Sequence, residues 1–588
     1  MRQVASFVIT VLLVANLGMA QGTGTGTTGT RGKKSSSSSQ KISAQLSQMQ
    51  QSIDAQQQQI QQLLQQLQSR DQQIQQLQQQ MNQVQSTANQ AQEKADTAAS
   101  QSTQQKQDVV AVRSDVTDLK DSVTNTALAM QETQKAVNES PLALRIKGIT
   151  LTPGGFLAAE TVWRQRGLAS DVNTPFNSIP LPGSSQSNLS EFFASGRQSR
   201  ISLLAEGKLK DAKLTGYYET DFLSAGVTSN NNESNSYTNR QRQVWGQAAL
   251  HGWSFTGGQM WSLVTETRKG VDNRTEALPM TIDAQYHVGF SWARQYGFRV
   301  AKDFGDKVWL AFSVENPQTT FAAHGNASNF LLGAPGTGGG LYNPTANYSF
   351  NSAPDIIAKA AFEPGWGHYE VFGVVSQFRD RVFPNGAAAT PSAAGAFNDS
   401  RVGGGIGANA RGSLFHKHVD LGLHFLGGDG VGRYGTTGLP DATVRPDGTL
   451  ALVRAYQALG TLEWHSAKWD IYTNAGGEYA ARTAYLNSAG KGVGYGSPVF
   501  SNAGCSTETL PGSNGFTPGA LTNCTGDTRN IIQGTFGFWY RFYKGPKGTV
   551  QWGPQYSYVV RNTWSGAAGG DPHGIENMFF TSFRYYLP

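Results

Sequence analysis

The chain has 588 residues, of which 38% are hydrophobic and 15% charged, and its formal net charge is +6. Beyond the N-terminus no stretch approaches the roughly 18 consecutive apolar residues that a spanning helix needs, which excludes a helical membrane protein. So mild a charge does not point to nucleic acid, and 68 glycines with 20 tyrosines suit strands and long loops better than a helical enzyme.

Residues 1–20 read as an export signal: Arg2, an apolar run from Val4 to Val14, then Gly18-Met19-Ala20 as a small-residue cleavage site. Residues 21–41 form a flexible leader of Gly, Thr and Ser with Arg31, Lys33 and Lys34, a composition that buries too little apolar surface to order itself.

Residues 42–140 predict an α-helical coiled-coil stalk. Leu46, Ile53, Ile60, Leu67, Ile74 and Met81 recur at every seventh position, and the series resumes through Val109, Val116, Val123, Met130 and Val137. Ile42, Met49, Leu63, Leu77 and Val84 mark the second seam. A stripe this narrow needs identical partner helices, so the chain is expected to oligomerise; the heptads alone leave dimer and trimer open. A straight helix of this length would reach about 140 Å.

Residues 141–588 predict a transmembrane barrel of about 16 antiparallel strands. Amphipathic segments lie near 146–163, 198–209, 212–223, 240–250, 252–261, 288–303, 307–315, 355–364, 367–379, 401–413, 416–428, 452–464, 467–481, 529–543, 547–561 and 574–587. They are joined alternately by tight turns and by long polar loops. A lipid-facing backbone has no water to bond, so a closed barrel is the strand architecture that satisfies it. An even strand count puts both termini on the short-turn, periplasmic side. A soluble β-sandwich fits poorly, because about 440 residues show no buried-core pattern. In the third segment Leu214, Gly216, Tyr218, Thr220 and Phe222 share the face expected to meet lipid, opposite Lys213, Thr215, Tyr217, Glu219 and Asp221. Trp245, Trp253, Trp261, Trp464, Trp469, Trp539 and Trp552 fall near strand ends, where an interfacial girdle is expected.

Four short motifs carry a family resemblance. Ser199-Arg200-Ile201, Glu219-Thr220-Asp221-Phe222, Arg240-Gln241-Arg242 and Gly258-Gln259-Met260-Trp261-Ser262 occur in this order over the first five strands. Together they resemble the DcaP-like trimeric outer-membrane porins, relatives of the phosphate-selective porins. The resemblance implies a coiled coil ahead of the barrel, a homotrimer with one pore per chain, and anion-preferring channels for small carboxylated solutes. The end Tyr585-Tyr586-Leu587-Pro588 departs from the aromatic terminal residue usual in barrel insertion signals.

Parity places Arg200, Arg299, Arg411, Arg541, Arg561 and Arg584 on the lumen face, where guanidinium rings attract anions and bind carboxylates or phosphates through two parallel bonds. Arg240 and Arg242 share parity with Val244 and join this set through the resemblance and their rim position. Glu206, Glu219, Asp221, Asp420, Asp470 and Glu478 fall on the same face, so pairing of acids with bases across strands is the competing reading. The third long loop, with Arg268, Lys269, Asp272, Arg274 and Glu276, is the candidate constriction loop; an ordinary outward loop is the alternative.

The remaining motifs read as structural. Gly405-Ile406-Gly407-Ala408-Asn409-Ala410 imitates a dinucleotide fingerprint without the strand-turn-helix context, and Gly333–Gly340 lacks the Lys of a phosphate loop. His416, His418 and His424 are candidate metal ligands by type, but His416 and His418 sit at a tight turn and His424 several residues up the strand, so no metal and no cofactor are expected. No nucleophile elbow occurs, so an enzyme is not expected. Cys505 and Cys524, both in the longest predicted loop, are expected to form a disulfide in an exported protein. The sequence therefore predicts a porin in outer-membrane lipid, passing small anionic or polar solutes. The alternative is a barrel anchor whose coil tethers the outer membrane to peptidoglycan.

Overall fold

The computed structural model describes residues 144–223, 237–326, 329–337, 346–415, 418–512 and 515–588. The export signal, leader and heptad segment lie outside the described residues.

Sixteen strands close into one antiparallel barrel. They are β1 Ile149–Arg164, β2 Arg200–Leu209, β3 Ala212–Asp221, β4 Arg240–Leu250, β5 Trp253–Trp261, β6 Arg294–Asp303, β7 Val308–Glu315 and β8 Asp355–Phe362. The second half continues with β9 His368–Val382, β10 Phe397–Leu414, β11 Val419–Asp429, β12 Arg454–His465, β13 Trp469–Ala480, β14 Thr528–Gly545, β15 Gly548–Thr563 and β16 His573–Tyr586. Each strand pairs with its sequence neighbour, and β16 closes on β1 with Ala158 opposite Arg584. A short segment, Glu191–Ser195, extends the β2 side by pairing with the far end of β1.

Every one of the sixteen expected segments contains a barrel strand. The largest difference is at β6, expected from residue 288 but starting at Arg294, because 288–293 belong to the loop before it. The tight connections have the geometry their residues dictate. At His251-Gly252 both φ angles are positive (49° and 75°), the backbone a two-residue hairpin turn requires and one that glycine adopts without strain.

Alternation sorts the side chains. Leu203, Phe255, Phe298, Phe312, Val375, Ile406, Leu423, Phe536 and Phe583 point outward and are exposed, while Glu219, Arg242, Ser313, Lys359, Glu463, Asn474 and Gln533 point inward and are buried. A continuous apolar outside with a polar inside is the inverse of a soluble domain and suits a lipid solvent. Of the seven tryptophans expected in a girdle, Trp253, Trp464, Trp469 and Trp552 face outward. Trp245 and Trp539 are buried inside, because they fall on the lumen parity of their strands, and Trp245 packs on Tyr217 with ring centres 5.5 Å apart. Trp261 shares parity with the outward Trp253 and Phe255 but, as the last residue of β5, is buried against Tyr286 and Phe290 of the following loop.

The interior is not an open tube. Inside lies an apolar cluster that combines barrel residues (Val162, Tyr472, Ile531, Phe580) with loop residues (Phe176, Ile179, Ile282, Val288, Leu439). Three long connections, 165–199, 262–293 and 430–453, therefore fold inward and pack against one another.

Candidate functional site

The loop 262–293 leaves β5 and crosses to the opposite wall. Its first half is a small hairpin closed by a bridge between Thr267 and Glu276, with Arg268 N donating to Thr275 O at 2.6 Å. Its second half runs past strands about eight positions away around the ring. There Ile282 N donates to Gln555 Oε1 (2.5 Å) on β15, Val288 N to Gln533 Oε1 (2.8 Å) on β14, and Gly289 N to Glu478 Oε1 (2.9 Å) on β13. Ser291 Oγ lies 2.9 Å from His424 Nε2 on β11. Neutral amides, a carboxylate and an imidazole on the lumen face thus satisfy backbone groups that would otherwise be buried unpaired. Gly289 has φ 90°, and a Cβ there would collide with the Ala458 carbonyl; one on Gly476 would collide with the Val288 carbonyl. Both glycines let the loop lie directly on the wall.

Two titrating groups on this loop are tuned by burial. Asp283 is pushed above the ordinary carboxylate range by desolvation, although it accepts hydrogen bonds from Thr174 N (3.2 Å) and Gln285 N (2.8 Å). His287, fully buried, is pulled down to about 4 by desolvation and is neutral at pH 7.

The candidate constriction residues lie along the hairpin. Arg268 is 3.6 Å from Glu463 on β12, and Lys269 is 3.3 Å from Asp306 in a short turn. Asp272 and Arg274 line a cavity of about 500 Å³ near the short-turn rim, together with Glu206, Lys213 and Gln247. Arg274 also lies over the Tyr217 ring at 4.9 Å, and Glu276 accepts a hydrogen bond from Arg274 N at 3.2 Å.

The predicted lumen arginines all face inward, and each is held by protein groups. Arg240 grips Asp221 through two parallel bonds (2.9 and 2.8 Å), and Arg242 bridges Glu219 and Asp221 at 2.7 Å each. Arg200 is 3.6 Å from Glu219 and 5.2 Å from the Phe156 ring centre. The parity conflict at Arg240 and Arg242 resolves in a β-bulge: Glu219 pairs with Gln243 and Thr220 with Gln241, so Arg242 is the extra residue and the alternation shifts there.

Arg299 braces the hairpin by donating to Asn273 Oδ1 (2.6 Å) and Trp261 O (2.7 Å). Arg411 bonds Glu266 at 2.9 Å, and Arg584 bonds Glu160 at 2.8 Å. Arg541 pairs with Asp470 and with the turn carbonyl of Ser466 (2.5 Å). Arg561 holds the loop carbonyl of Ile179 at 2.9 Å.

Arg294 escaped the sequence reading. It stands between Trp261 (4.9 Å) and Trp292 (4.7 Å), beside the Arg242 cluster, with one buried guanidinium nitrogen that has no hydrogen-bond partner among the described residues. Its position as first residue of β6 hid it, because that strand was expected to begin earlier. Gln533 and Gln555 lay on lumen parity, but nothing in the sequence said which loop they would hold.

Cys505 and Cys524 are joined by a disulfide, with Cα atoms 4.8 Å apart. His424 serves the loop anchor, His418 contacts the His465 carbonyl (3.2 Å), and His416 lies outside the described residues. Gly405–Ala410 is plain strand within β10.

No protein-family model matches the chain, and no curated protein matches it in sequence. Solved structures do. The outer membrane channel DcaP of Acinetobacter baumannii superposes with a TM-score of 0.50 at 13% identity, covering 76% of this chain and 99% of that one. The OprB structure of Pseudomonas putida gives 0.40 at 11% identity, covering 78% and 97%. The anion-selective porin of Comamonas acidovorans gives 0.39 at 9% identity, covering 75% and 100%. The barrel of this chain has the fold of the DcaP channel.

Proposed function

We propose that the protein is an outer-membrane porin, a homotrimeric diffusion channel that admits small hydrophilic solutes and prefers anions such as carboxylates. The observation that carries this reading is the closed barrel with an apolar exterior and a polar interior, narrowed by a loop anchored to the far wall. In this reading the loop sets the size limit, and the cavity near the short turns is the vestibule at that end.

Preference for anions rests on local charge balance. Four guanidinium groups, Arg200, Arg240, Arg242 and Arg294, stand around the paired carboxylates Glu219 and Asp221. The surplus gives that wall a positive potential, and a low-dielectric channel magnifies it. Trimer formation rests on the heptads of residues 42–137 and on the resemblance of the strand motifs. In planar bilayers the purified protein is expected to insert in steps of three equal conductances, with reversal potentials displaced towards anions under a salt gradient. Displacement towards cations would overturn the anion preference, and single unlinked steps would overturn the trimer.

A further inference from the structure

We infer that the lumen wall near the short turns carries a binding site for a first-row divalent metal ion such as Zn²⁺, built from Asp420, Glu463 and His465. Asp420 is the second residue of β11, while Glu463 and His465 are two apart near the end of β12. Pairing of β11 with β12 puts Asp420 directly opposite Glu463, so all three side chains converge on one spot of the inner face.

The donor atoms have nearly the spacing a metal imposes. His465 Nε2 is 3.5 Å from Glu463 Oε2 and 3.7 Å from Asp420 Oδ2, and all three donor atoms lie within 4.8 Å of one another. Metal bonds of about 2.1 Å in tetrahedral geometry place ligand atoms about 3.4 Å apart, so a small contraction completes the site and leaves a fourth position for water or solute. These separations are too long for hydrogen bonds among the three groups.

Two further observations point to a ligand. Among the described residues, both Glu463 carboxylate oxygens and His465 Nε2 are buried with no hydrogen-bond partner, the two residues being 0% and 2% exposed. Glu463 is thus compensated only by long ion pairs to Arg268 (3.6 Å) and Arg411 (3.9 Å), and a bound cation would supply the close contact its carboxylate lacks. The outer contacts also match those of a metal-binding histidine. His465 Nδ1 lies 2.9 Å from Asp470 Oδ1, which fixes the tautomer that leaves Nε2 free to coordinate. Asp470 is held in turn by Arg541, and Ser413 Oγ donates to Asp420.

The surrounding cations do not close the site. Arg411 spends its Nε on Glu266 and comes only within 3.9 Å of Glu463; Arg268 stops at 3.6 Å. The mixed oxygen and nitrogen donors favour Zn²⁺, Co²⁺ or Mn²⁺ over Ca²⁺. Bound metal would lock β11, β12 and β13 together beside the Arg268 hairpin.

The test uses untagged full-length protein, stripped with chelator and titrated with Co²⁺ and Zn²⁺. One Co²⁺ per chain is expected, with the visible absorption of a four- or five-coordinate ion, displaced by Zn²⁺. Glu463→Gln and His465→Ala should each lose at least 100-fold in affinity, and Asp470→Asn should lose about 10- to 100-fold while keeping the same stoichiometry. Folding of each variant is checked by its β-sheet circular dichroism; if His465→Ala does not fold, Asp420→Asn carries the same expectation. No Co²⁺ absorption in the wild type would overturn the site, in favour of a protonated His465 clasped by the two acids. Unchanged affinity in folded Glu463→Gln would overturn it equally.

Discussion

Replacing Glu478 by alanine should release the inward loop. Its Oε1 accepts Gly289 N at 2.9 Å and Thr436 N at 3.0 Å, and its Oε2 accepts Thr437 N at 3.3 Å and the Thr437 hydroxyl. One carboxylate thus holds two different loops on β13. Hydrogen bonds contribute about 0.5–1.5 kcal/mol each, the freed groups regain water, and the loop keeps its Gln533 and Gln555 anchors. A net loss of about 3 kcal/mol is expected, since shared contacts do not add. That raises the population with residues 282–292 detached on the order of 100-fold. Hydrogen exchange followed by mass spectrometry should show faster exchange in 282–292 and 432–437, with β12 to β14 unchanged. Single-channel records should show larger, briefly flickering openings, and Glu478→Gln should fall between the variant and the wild type. Unaltered exchange in 282–292 would refute the anchoring argument.

Other expectations follow from the same geometry. Arg242→Ala leaves Glu219 and Asp221 short of a shared cation, so it should destabilise the barrel by about 3–5 kcal/mol and shift the reversal potential towards cations, read in a bilayer under a salt gradient. Reducing the bond between Cys505 and Cys524, 19 residues apart, should cost about 3 kcal/mol in ordering of that loop, seen as faster tryptic cleavage there with conductance retained. His324 links the loop 316–354 to the strand-approaching Asp527 at 2.8 Å, and that hydrogen bond raises the His324 pKa above its ordinary 6.5. Because the folded value is the higher one, this stabilisation is full below pH 6.5 and is lost as pH rises through the raised value. Exchange in 492–500, which His324 touches through Gly494 and Phe500, should therefore quicken as pH rises above 6.5, and His324→Gln should abolish the change. Deleting residues 42–137 should convert triplet conductance steps to single ones; triplets that persist would remove the coil from the assembly.

The barrel was legible because its governing constraint is local. Two-residue alternation and turn residues are written in each strand, and lipid enforces them, so even the ends of β3, β4 and β13 fall close to expectation. The fates of individual side chains were less legible where alternation breaks. The bulge at Arg242 turned two arginines inward, and Trp261 was drawn into contact with Tyr286 and Phe290 of the crossing loop. Loop placement depends on partners more than a hundred residues away, as with Gln533 for Val288, and no local pattern encodes that. The same long range hid the Asp420, Glu463 and His465 group, since strand register, not spacing, brings Asp420 to Glu463.

The most direct measurement of the central claim is solute entry into liposomes that carry the purified protein. Swelling in isotonic solutions of small sugars and small carboxylates should be rapid, faster for the carboxylates, and should fall off as solute size increases. Liposomes that stay impermeable to every small solute would contradict the channel.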